Sequence, residues 1–209
     1  MRSLIGHTPS PIPGFGVSFG ITLTLLSLIV LLPIGVLLWG GLSLGPERLW
    51  AIIGSERVMA ALGVSFRSAL IAALFNLVFG LALAWVLVRY EFPLKRLVDA
   101  AVDLPFALPT AVAGLSLTAL YAPNGVFGAP LNALFGIRVA YTELGIWLAL
   151  IFVGLPFVVR TVQPVLEDFD RETEEASATL GASRARTFRK VMLPMLAPAL
   201  LTGFALALA

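Results

Sequence analysis

The chain has 209 residues, of which 59% are hydrophobic and 12% charged, with a formal net charge of +2 and no cysteine. Soluble domains carry about a quarter charged residues, so this composition, with a mean hydropathy of +0.97, describes a polytopic membrane protein rather than a soluble domain. Disulfides, iron–sulfur clusters and thiol catalysis are excluded, and so small a net charge gives no footing for nucleic acid.

A proline-bearing polar head ends at Pro13, and the first apolar run covers 18–38. At about 1.5 Å per residue it reaches roughly 31 Å, enough to cross a hydrocarbon core of ~30 Å, and Pro33 is tolerable there as a kink. The mixed segment 45–67 reads as interfacial helix with Trp50 as an anchor. A second span, 68–88, stops at Arg89. The third, 99–121, is ended by the turn residues Ala122-Pro123-Asn124-Gly125. The fourth, 144–159, ends at Arg160, and a polar stretch follows to Lys190. The fifth starts near Met195 and is still apolar at Ala209. It runs for only about 15 residues where a span needs about 20. The expectation is an all-α membrane bundle, with about five spans of six present and the C-terminus incomplete.

Basic residues set the orientation. With the N-terminus inside, Arg2, Arg89, Lys95, Arg96, Arg160, Arg171, Arg184, Arg186, Arg189 and Lys190 fall on the inner side, leaving Arg48, Arg57, Arg67 and Arg138 outside. The loop around Glu175 is thereby expected in the cytoplasm.

Enzyme signatures are missing. There is no phosphate-binding Gly-x-x-x-x-Gly-Lys-Ser/Thr loop and no His-Glu-x-x-His, and the one histidine, His7, sits in the polar head. No metal site is expected.

The polar stretch carries acids from Glu167 to Glu175, the small residues Ala176, Ser177 and Ala178, then Gly181, then four bases before Leu193-Pro194. It reads as helix, glycine hinge, short helix. One interpretation is a solvated connector obeying the positive-inside rule; the other is a low-profile knob for a partner's groove. Asp103, inside the third span, admits two readings as well: a functional acid, or a structural cap or packing anchor at a helix N-terminus. Pro105 and Pro109, four apart, fall on one helical face, followed by the small Thr110, Ala111 and Gly114, so 105–114 suits either tight packing or a kinked gate lining the path.

Glu175-Ala176-Ser177, then Gly181, then Val191-x-Leu193-Pro194 resembles the Glu-Ala-Ala loop of ABC-importer permeases, with Ser177 and Val191 in place of Ala and Ile. The segments 89–93, 103–114 and 154–167 resemble the sulfate/thiosulfate permeases, especially their T subunit. The resemblance implies a type I importer (MetI-like) bundle in which 1–209 is one permease domain and 160–194 its cytoplasmic coupling loop. It implies that Glu175, Ala176, Ser177, Gly181, Leu193 and Pro194 dock an ATPase. The chain itself would be no enzyme and bind no cofactor, ATP and Mg residing on that ATPase. The implied partners are a second, W-type permease subunit, two cytoplasmic ATPase subunits and an extracytoplasmic sulfate-binding protein, in a bacterial inner membrane. A molybdate or tungstate permease is the alternative of the same kind, and a non-transporting membrane scaffold is the alternative of another kind.

Overall fold

A computed structural model describes residues 14–169 and 171–209; His7, the rest of the polar head and Asp170 lie outside the described residues. Every regular element among the described residues is helical. In chain order these are α1 (Phe15–Ser43), α2 (Pro46–Ile53), α3 (Glu56–Arg89), α4 (Lys95–Val102), α5 (Leu104–Ala107), α6 (Thr110–Tyr121), α7 (Gly128–Phe135), α8 (Glu143–Glu167), α9 (Arg171–Thr179) and α10 (Arg184–Leu208). Of these, α1, α3, α8 and α10 are long and apolar enough to cross a membrane. The chain divides into two compact units, Met1–Ala60 and Ala61–Ala209.

In the first unit, α1 is apolar on every side and none of its residues is buried within the unit, as suits a helix surrounded by lipid or by other spans. Its middle widens into a π-helical stretch, Ser27–Leu31, just before Leu32-Pro33. A second π stretch, Phe188–Met192, stands in α10 just before Leu193-Pro194. Proline has no N–H to give the carbonyl four residues back, and its ring crowds that carbonyl, so the helix widens ahead of it. The segment 45–67 divides differently from the sequence expectation. Only Pro46–Ile53 forms a separate amphipathic helix, and Arg57 and Arg67 belong to the long α3.

The second unit is built on α3, α8 and α10. Ala84, Val158, Val162, Leu166 and Leu196 are fully buried or nearly so and form one cluster. Burying leucine away from lipid gains little transfer energy, so close packing at small residues supplies the attraction. A Cβ at Gly80 would lie 2.8 Å from Val158 Cγ1, and one at Gly203 would lie 2.9 Å from Val158 Cα. At Gly154 it would meet Asn76 Nδ2 at 2.5 Å. Trp147 Nε1 also donates to the buried Ser68 hydroxyl at 3.1 Å, tying α8 to α3.

The third expected span is not one helix. The backbone breaks at Asp103 and again at Leu108, which is extended (φ −94°, ψ 131°). Pro109 disfavours a helical conformation in the residue before it, and here Leu108 is extended, so α6 starts afresh at Thr110. With 12 residues α6 rises about 18 Å, too little to cross ~30 Å. Pro105 and Pro109 therefore sit on different segments rather than on one helical face. α8, by contrast, runs through Pro156 and Pro164 to Glu167, beyond the expected end at Val159.

Candidate functional site

The acidic α9 ends in a glycine turn whose hydrogen bonds are complete. Ala182 N–H donates to Ser177 O at 3.0 Å and Gly181 N–H to Ala178 O at 2.9 Å, with Gly181 left-handed at φ +76°. This is the six-to-one, five-to-two closure that favours glycine at the fifth of its six residues, so Gly181 is set by backbone geometry. It leaves Glu175, Ala176 and Gly181 exposed along α9 and its turn. Leu180, beside Gly181, is 87% exposed, an apolar tip on a polar loop.

Behind the loop, Glu174 turns back toward the bundle. Its Oε1 is 2.6 Å from Nη2 of Arg89, the last residue of α3. Neither atom has an aligned hydrogen bond, so the contact is chiefly Coulombic. The guanidinium carbon also lies 5.7 Å from the Trp85 ring centroid and 5.8 Å from that of Phe169, within cation–π range.

A second polar cluster lies on α8. Arg160 Nε and Nη2 donate to the two carboxylate oxygens of Asp103 at 2.8 and 2.7 Å. Nη1 donates to Asp99 Oδ1 at 2.7 Å and to Gln163 Oε1 at 2.6 Å, and Nη2 also to the Asp99 carbonyl at 2.9 Å. All five guanidinium donors are thus engaged. Asp103 makes no side-chain cap hydrogen bond; both its oxygens face Arg160, joining the broken segment to α8. Partial burial pushes the Asp99 carboxyl up, but hydrogen bonds from Arg160 and Gln163 and the attraction of Arg160 and Lys95 together hold it below the ordinary aspartate value.

Residues 76–209, which include both clusters, match the family described as binding-protein-dependent transport system inner membrane component. The sulfate transport system permease protein CysT of Salmonella typhimurium is 51% identical over 195 residues, covering 93% of this chain and 70% of the relative. A probable sulfate transport system permease protein cysT of Nephroselmis olivacea is 54% identical over 193 residues, 91% of this chain and 68% of the relative. CysT of Synechocystis is 48% identical over 186 residues, 89% of this chain and 65% of the relative. The chain belongs to this family of ABC-importer permeases.

In the permease fold the six loop residues do not form one patch of equal exposure. Ser177 is half-buried, Leu193 packs against the core cluster, and Pro194 is exposed where α10 continues past its π stretch. Of the path candidates, Pro109, Thr110, Ala111 and Gly114 are exposed, Pro105 is half-buried, and the neighbouring Ala113 is buried. A Cβ at Gly114 would meet nothing within 4 Å. Sequence alone assigns no site role to Arg89, Arg160 or Leu180. Leu180 had a signal, an isolated apolar residue in a polar run. The two arginines looked like ordinary inner-side charges at span ends.

Proposed function

We propose that the chain is the T-type permease subunit of an ATP-driven importer of sulfate or thiosulfate, forming half of the translocation path. The carrying observation is about half identity across nine-tenths of the chain to permeases named for sulfate transport. Those names favour sulfate over the molybdate and tungstate alternatives. A W-type permease subunit completes the path, two cytoplasmic ATPase subunits bind ATP and Mg, and an extracytoplasmic sulfate-binding protein delivers the anion. The N-terminus and the Glu175 loop lie on the cytoplasmic side, in accord with the excess of basic residues there.

The exposed Glu175, Ala176 and Gly181, with Leu180 beside them, dock in a groove of the ATPase, and Ser177, Leu193 and Pro194 support them from the bundle side. Closure of the ATPase pair rocks the two permease subunits between inward- and outward-facing states. The path runs past the open face of α6, where Thr110 and the first-turn N–H groups can meet a partly desolvated oxyanion. Arg160 does not trap the dianion, because its donors are already taken by Asp99, Asp103 and Gln163. With Arg160 so occupied, the path is expected to release its cargo readily.

Gly181→Arg tests the docking surface, since it strains the left-handed turn and places a bulky charge on the knob. ATPase-subunit retention through purification and sulfate uptake are both expected to be lost. Retention of both would overturn the docking assignment.

A further inference from the structure

Arg89 stands where three connecting pieces meet. It closes α3 with its side chain only 11% exposed, an unusual place for an arginine unless it is partnered. Phe169, buried at 6%, ends the turn out of α8 and lies under the guanidinium. Glu174 approaches from α9. Trp85, one helical turn back on α3, meets the guanidinium and also Phe188 of α10, edge-on with ring centroids 5.7 Å apart. One side chain thus touches the strand of chain entering α9, α9 itself, and a ring that touches the helix leaving it. A cavity of about 620 Å³ opens beside this junction, lined by Trp85, Arg89, Glu174, Glu175 and Phe188 among others. The Arg89–Glu174 pair lines this cavity, where packing between α9 and the end of α3 is incomplete.

We infer that Arg89 is the positioning residue of the docking loop. It seats α9 on the end of α3, so that displacement of the Glu175–Gly181 surface moves α3 instead of being taken up in the cavity. The inference rests on the docking role proposed above. The ion pair draws Glu174 to the end of α3, and cation–π attraction to Trp85 and Phe169 holds the guanidinium in place. Lysine should replace it poorly, having charge but no flat face to stack.

The test uses the whole importer in membranes, with each variant normalised to the amount of permease present. Arg89→Glu and Glu174→Arg each place like charges together, and the double exchange restores an opposite pair. Each single exchange is expected to lower sulfate uptake about tenfold, within the usual range of coupling energies, while ATPase-subunit retention stays near wild type. The double exchange is expected to recover most of the uptake. Glu174→Gln, a mild change at a partly exposed site, should lower uptake about threefold without altering permease abundance. Arg89→Lys should fall between wild type and Arg89→Glu. Unchanged uptake in both single exchanges, or no recovery in the double, would overturn the assignment. Gly181→Arg in the same assay reports on docking independently. If that variant keeps the ATPase, the docking reading fails whatever the exchanges show.

Discussion

Arg160 shows how much one side chain can fix when every donor has an acceptor. Lysine cannot copy its planar fork, and removal leaves Asp103 without its ion pair and Asp99 with only the Gln163 hydrogen bond and the attraction of Lys95. Hydrogen bonds to charged groups contribute about 1.5–3 kcal/mol each when shielded. The side chain is 31% exposed, and water screens part of that. Arg160→Ala is therefore expected to cost about 2 kcal/mol in all, read as a lower unfolding midpoint in detergent, with Arg160→Lys recovering little of it. A midpoint unchanged in Arg160→Ala would show the cluster to be idle. The acid limb of stability should reflect Asp99. Because its folded-state pKa is depressed, its contribution is present above about 3.9, the unfolded value, and is lost as pH falls further through the folded value. Asp99→Asn should flatten that loss. At Gly181, alanine pays for a left-handed backbone: Gly181→Ala is expected to destabilise the α9 turn by about 1 kcal/mol, seen as faster hydrogen exchange at Gly181 and Ala182 amides than in the parent, with slower exchange counting against the closure.

Among the elements, α1, α3, α8 and α10 were legible because each is a long apolar run, and a run is what hydropathy measures. Their ends were less legible. α3 starts twelve residues before its expected span (Glu56 against Ser68), because Arg57 and Arg67 lie outside the apolar stretch yet continue the helix. The third span failed for a different reason. Hydropathy over 99–121 is continuous, but the backbone is not, since Pro109 extends Leu108 and Asp103 is drawn to Arg160. The broken segment bears on the proposed path. It presents Thr110, Ala111 and Gly114 on an open face while Ala113 packs inward. Because nothing lies within 4 Å of a Cβ at Gly114, Gly114→Leu should leave folding and abundance intact. It should also cut sulfate uptake at least about tenfold by narrowing the path, as should Ala111→Leu. Normal uptake in both would remove α6 from the path.

For the whole molecule, the family motif was readable because it is local: Glu175, Gly181 and Pro194 lie within one short stretch with fixed spacing. The contact that attaches that stretch to the bundle, Arg89 with Glu174, and the one that ties the broken segment to α8, Asp103 with Arg160, were not readable, since each pair is far apart in the chain and meets only through helix packing. An arginine at a span end satisfies the positive-inside rule whether or not it has a partner, so nothing in the string distinguishes Arg89 and Arg160 from Arg96. Orientation, docking and cargo all meet in transport. The most direct measurement is uptake of radiolabelled sulfate into vesicles bearing the complete importer with this chain as one permease subunit. Uptake is expected to require ATP inside and the binding protein outside, and to be suppressed by excess unlabelled sulfate or thiosulfate far more than by molybdate. Uptake that persists when this chain is omitted, or that molybdate suppresses more strongly than sulfate, would contradict the proposed function.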